Sequence, residues 1–346
     1  MRKKFMMNCL ISSILLATST GFAAADASQD LQISGSILFH YRIQRDEQYP
    51  QGAPDITRNG FKTLFLLNMD QKLNENFALY ARATYEAFSS RYGNFGTDNY
   101  VDRNYHGAID EYGLKYNHAG YTYKLGLQSL TLGGGLVYDN GYIGKHSLPY
   151  ALTMDGKVGK IDVNVVAAQT NYQGSLENDK FYAVQGSYAM KDKASVGAMI
   201  VHADYGKDTT NAYMGGRSSV NYYSVYGSYP LSDKLTISAE YLLSSMKKDN
   251  QAHIAQLSYS TDSKNTFGLG YYRVEDQTSI NDYNAGCMTT SPNTNTKGYL
   301  VSFKHKFDKN VSWSVSDFHY DKINSSSSNG ASTNRNRFGT TLAIAF

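Results

Sequence analysis

Basic side chains recur through the first part of the chain at Arg42, Lys62, Arg82, Lys115 and Lys124, with the acids Glu86 and Glu111 among them. None sits in a pattern that makes or breaks covalent bonds. No G-x-S-x-G elbow, H-E-x-x-H pair or paired-cysteine spacing occurs, and the histidines at 40, 106, 118, 146, 202, 253, 305 and 319 are scattered singly. The sequence thus offers no catalytic residue, no metal-ligand set and no cofactor motif. Fixed charges of both signs can still order water and attract or repel ions. Whether they do so depends on where the backbone aims them.

Alternation supplies that direction. From Leu31 to Gln44 the set Leu31, Ile33, Ile37, Phe39, Tyr41 and Ile43 alternates with Gln32, Ser34, Ser36, His40, Arg42 and Gln44, broken only by Gly35 and Leu38. A strand turns successive side chains to opposite faces. Comparable runs follow at 60–72, 77–88, 108–117, 121–129, 150–157, 160–170, 181–190, 194–205, 218–229, 234–245, 251–260, 265–275, 298–307, 311–321 and 336–346. They make about sixteen strands, each near the ~9 to 11 residues with which a tilted strand crosses a bilayer. Fourteen and eighteen stay open as alternatives. Leu64 and Leu66 fall on the polar face of their run, 194–205 reads in either register, and 311–321 changes phase between Val315 and Phe318.

The connections alternate as well. Short turns carrying Asn, Asp, Gly or Lys fall at 74–76, 118–120, 156–159, 191–193, 230–234, 261–264 and 308–310, and the connections between them are mostly long and polar. Short periplasmic turns, long extracellular loops and an even strand number describe an all-β, transmembrane, antiparallel up-and-down barrel. A soluble sandwich predicts no such rhythm. The five basic residues then face the lumen, since a mid-strand Arg or Lys facing lipid costs about 2 to 4 kcal/mol. An interior of this size holds water unless plugged.

Residues 1–27 read as a cleaved secretory signal, with basic Arg2-Lys3-Lys4, an apolar stretch to about Ala17, and small residues that allow cleavage after Ala25 or Ala27. A single barrel domain, 28–346, is left. Its first strand follows within a few residues, with no amino-terminal segment to serve as a plug. The chain carries +3, from 33 basic and 30 acidic residues. Arg2, Lys3 and Lys4 match that excess, and residues 1–25 hold no acid, so the mature chain is about neutral and its charge does not point to nucleic acid. Cys9 leaves with the signal and Cys287 stays, which excludes an internal disulfide. The 30 Tyr and 15 Phe, including Tyr41, Phe77, Tyr116, Tyr229 and Phe307 near strand ends, suit aromatic girdles at the lipid–water boundary. A negative mean hydropathy fits strands that are apolar outside and polar inside.

The segment Glu111-Tyr112-Gly113-Leu114-Lys115-Tyr116, a turn at 117–120, and Tyr121-Thr122-Tyr123-Lys124-Leu125-Gly126-Leu127-Gln128 together resemble a hairpin of Gram-negative general porins. The resemblance implies a water-filled channel for passive diffusion of ions and small hydrophilic solutes, assembled as a homotrimer among outer-membrane lipids. It implies an inward third loop at about 129–149, opening with Gly133-Gly134-Gly135. Arg42, Lys62, Arg82, Glu111, Lys115 and Lys124 would then line the pore across a transverse field from Asp139 of that loop. Gln128 stands where the family more often has Arg. Two alternatives stay open: a substrate-selective channel, for sugars for example, and an adhesin or structural barrel acting through its loops. The run ending in Phe346 implies a last strand that closes on residues 31–45. Its terminal aromatic resembles the signal read by the outer-membrane insertion machinery.

Overall fold

Strand β1 (Leu31–Gln48) is long and alternates with few breaks, and the pattern repeats around the molecule. It is followed by β2 (Ile56–Lys72), β3 (Phe77–Phe88), β4 (Tyr105–His118), β5 (Tyr121–Leu127), β6 (Leu130–Leu132), β7 (Tyr138–Asn140), β8 (Tyr150–Val158) and β9 (Ile161–Gln169). The remainder are β10 (Lys180–Ala189), β11 (Ser195–Asp204), β12 (Ser219–Pro230), β13 (Leu235–Ser244), β14 (Gln251–Ser260), β15 (Asn265–Val274), β16 (Thr296–Lys306), β17 (Val311–Lys322) and β18 (Ser332–Ala345). The computed structural model describes residues 31–48, 56–89, 105–140, 148–170, 179–191, 193–206, 217–280, 294–324 and 332–346. The expected signal at 1–27, Cys287 and the later part of the expected inward loop, 141–147, lie outside these.

Sixteen strands close into one barrel, each antiparallel to its neighbours in chain order, and β5 passes to β8 over the separate two-stranded hairpin β6–β7. The strand number settles at sixteen. Closure pairs every edge, which a bilayer core requires because it offers backbone groups no water.

The two faces are inverted relative to a soluble protein. Outward side chains are apolar and exposed, among them Phe61 at 63%, Ile200 at 59% and Val225 at 57%, whereas inward Lys62 and Glu86 are 2% and 1% exposed. That sidedness fits lipid outside and a polar lumen inside. Aromatic pairs sit on the outer surface near the turns, such as Phe77 and Tyr116 with ring centroids 4.6 Å apart.

Short turns are closed by their own side chains. Asn74 Oδ1 accepts from the N–H of Asn76 and of Phe77, both at 2.9 Å. Asp262 Oδ1 does the same for Lys264 and Asn265 at 2.7 Å, and Asp308 Oδ1 for Asn310 and Val311 at 2.7 and 2.8 Å. Asn and Asp favour turns because they cap the chain in this way.

The closing seam runs from Ser36 opposite Ala345 to Glu47 opposite Asn334, with an irregularity only at Glu47/Gln48. At its foot the N–H of Gly35 donates to the Phe346 carbonyl at 2.8 Å and the N–H of Phe346 to the Gly35 carbonyl at 3.0 Å. The three irregular runs resolve without slips. Leu64 is inward and buried. In β11, Met199, Val201 and Ala203 are buried while Val196 and Ile200 are exposed outside. In β17 the pairing is unbroken from Val311 to Asp321, so the phase change is one of residue type and Phe318 packs inside with Tyr272, Leu300 and Tyr320.

Candidate functional site

The hairpin β6–β7 lies within the barrel against the inner face of one wall. Leu130, Leu132, Leu136, Val137 and Tyr138 form one apolar cluster with Val166, Phe181, Met199, Val201, Val220, Tyr222 and Leu242. Tyr138 and Phe181 rings stand 4.8 Å apart. Each such side chain contributes about 1.5 to 3 kcal/mol when fully buried, which explains how a short loop stays inside a wet lumen.

Polar contacts fix its position. The N–H of Gly133 donates to Gln185 Oε1 at 2.8 Å, and those of Gly134 and Leu136 donate to the Glu240 carboxylate. Glu240 also accepts from Ser224 Oγ at 2.7 Å. The glycines are required sterically. Gly133 has φ +60°, and a Cβ would meet Glu240 Oε1 at 2.6 Å there and Oε2 at 2.5 Å at Gly134. At the hairpin's base, Gln128 is buried and its Nε2 donates to the carbonyls of Ala151 at 2.9 Å and Lys124 at 3.2 Å.

Opposite this apolar half stands a charged wall. Arg82 binds Asp110 bidentately at 2.8 and 2.9 Å and also pairs with Glu111. Glu111 accepts from Lys124 at 3.4 Å and from Ser129 Oγ at 2.8 Å. Lys62 pairs with Glu86, and Lys115 with Asp70. Lys124 Nζ lies 4.1 Å over the Tyr80 ring, a cation–π contact. Arg42 is buried on β1, opposite Gly339 and Gly60.

The residues Lys62, Arg82, Glu111, Lys115 and Lys124 thus all face inward on β2–β5, in three ion-paired groups. Asp139 is placed elsewhere. It lies on β7, where Thr131 Oγ1 donates to it at 2.9 Å, and the described ion pairs do not include it.

Sequence reasoning missed Asp110, Asp70, Asp46, Arg335 and Arg337. Asp110 escaped because β3 and β4 slip register between Arg82 and Ala83, a bulge that turns both Asp110 and Glu111 inward. Alternation carried no sign of it. Arg335 and Arg337 were legible, since they alternate with outward Phe338.

A closed sixteen-strand barrel, apolar outside, charged inside and occupied on one side by a hairpin from the connection after β5, is the general-porin fold. Comparison with solved structures agrees. The chain is similar to Salmonella typhi OmpF in complex with daunomycin, with a TM-score of 0.61, 12% identity and coverage of 91% of this chain and 97% of that one. It is similar to a loop-deleted form of OmpT, an outer-membrane protein of Vibrio cholerae, at 0.55, 14%, 91% and 99%. A mutant of Rh. blastica porin gives 0.53, 9%, 91% and 100%. No family profile and no curated protein matches at the level of sequence.

Proposed function

We propose that the protein is an outer-membrane porin, a water-filled channel through which ions and small hydrophilic solutes diffuse passively. The observation that carries this is the sidedness of a closed sixteen-strand barrel whose charges on β2–β5 and at the β18–β1 seam point inward. Sixteen strands enclose more space than side chains fill, and the hairpin occupies only the wall of β8–β15. The pore is bounded on its other side by Arg42, Lys62, Arg82, Glu111, Lys115 and Lys124. Asp139, on the hairpin, contributes to its lining.

The protein acts as a channel and not as an enzyme. Its partners are outer-membrane lipids, the machinery that inserts barrels, and two further copies of the same chain in a homotrimer. A secretory signal at 1–27 delivers the mature barrel, and the segment 129–149 constricts it. The test is single-channel recording of the refolded mature chain in a planar bilayer. Regular conductance steps support the proposal, and a folded but silent barrel refutes it.

A further inference from the structure

We infer that the sign of the channel's ion preference is set at the β18–β1 seam by Arg337, and that the channel favours small anions. The inference rests on the channel reading above. On β2–β5 the inward charges cancel locally. Lys62 is matched by Glu86, Lys115 by Asp70, and Arg82 and Lys124 by Asp110 and Glu111. Paired charges a few ångströms apart project little field into water.

The seam is different. Arg335 and Arg58 both turn to the single carboxylate of Asp46, so positive charge is left over. Arg337 is opposite Gln44 on β1, and its described partners are neutral: Nε donates to Gln44 Oε1 at 3.1 Å and Nη2 to Tyr320 OH at 3.4 Å. Gln44 and Tyr320 are both buried inward side chains. They orient the guanidinium without cancelling its charge. Arg42 stands two residues along the same seam, opposite Gly339.

A guanidinium fixed by neutral partners attracts chloride, carboxylates and phosphates in transit and repels cations. Through water, one unit charge ~6 Å away shifts the occupancy of an anion and of a cation about threefold each in opposite senses, about tenfold in their ratio, and the effect fades as salt rises.

The test is the reversal potential of the refolded mature chain in planar bilayers under a KCl gradient at low ionic strength. The wild type should reverse on the anion side. Arg337→Gln should reduce the chloride-to-potassium permeability ratio about tenfold, as expected for one charge, while Arg337→Lys should retain it. Gln44→Glu, which gives Arg337 a carboxylate partner, should reproduce the loss with the arginine still present and so does not depend on Arg337→Gln folding. The exposed turn pair, Lys157→Gln with Asp162→Asn, should leave the ratio unchanged. Cation preference in the wild type, or unmoved reversal potentials in both Arg337→Gln and Gln44→Glu, overturns the inference while conductance upholds the channel. Loss of preference in Arg337→Lys equal to that in Arg337→Gln also overturns it, by making the residue's role structural. Absence of conductance refutes the channel reading itself, and this inference with it.

Discussion

Arg82 grips Asp110 through two parallel hydrogen bonds, Nε to Oδ1 at 2.8 Å and Nη2 to Oδ2 at 2.9 Å, and the bulge that presents Asp110 also brings in Glu111. Removing the arginine leaves two buried carboxylates without their guanidinium. Arg82→Ser should therefore destabilise the barrel by about 3 to 5 kcal/mol and shift the reversal potential toward cations. Adding Asp110→Asn and Glu111→Gln should return the reversal potential to its wild-type side. Thermal unfolding in detergent and bilayer recording read the two effects separately, and an unshifted reversal potential would remove Arg82 from the conducting path.

Glu240 holds the inward hairpin by the N–H groups of Gly134 and Leu136. Glu240→Ala leaves those donors unpaired at a cost of about 1 to 3 kcal/mol, borne by the hairpin, while the barrel's own ladders stay intact. Gly133→Val has the same target, since its Cβ would meet Glu240 Oε1 at 2.6 Å. Both variants should show larger and noisier single-channel conductance with unchanged migration of unboiled protein on a gel. Wild-type conductance would mean that the hairpin does not narrow the pore.

The turn after β14 predicts an acid response. Asp262 is held down at about 2, chiefly by the Asn265 side-chain amide and then by the N–H groups of Lys264 and Asn265. A carboxylate whose pKa falls on folding adds stability above its unfolded value and loses it as pH drops through the folded one. The window therefore runs from roughly 4, the ordinary carboxylate value, down to about 2. The thermal midpoint of the wild type should fall more steeply through that window than that of Asp262→Asn. Identical slopes would contradict the assignment.

Phe346 packs where Gly35 has no side chain: a Cβ on Gly35 would lie 2.5 Å from the Phe346 ring, and the ring stacks toward Phe65 at 6.2 Å. Deleting Phe346, or substituting Gly35→Val, should reduce the fraction of protein that assembles into a heat-modifiable barrel in cells. Barrels that do form should keep wild-type ion preference. Full assembly of the deletion would reduce Phe346 to surface packing.

Strand number, turn rhythm and the inward basic residues were legible because lipid outside and water inside force a period of two. Legibility failed where the lumen is not wet. Strand β11 reads in either register because Met199 and Val201 face an apolar hairpin while Val196 and Ile200 face lipid. Phe318 shifts the apparent phase of β17 for the same reason, packing inward against Tyr272 and Leu300. Asp110 could not be placed because a bulge leaves no mark on alternation. Asp139 is legible as a loop acid, but its partner Thr131 follows only from the pairing of β6 with β7.

The hydrogen bonds between Gly35 and Phe346 also bear on the order of the chain. Because β1 and β18 pair as closely as any hairpin, the folded ring has no privileged starting strand. A chain reopened at the 308–310 turn, with its present ends joined by a short linker, should rebuild the same ring in detergent. In the cell the same rearranged chain would no longer present a terminal aromatic. If Phe346 is read as an assembly signal, as proposed above, folding in detergent and assembly in the cell become physically separable properties.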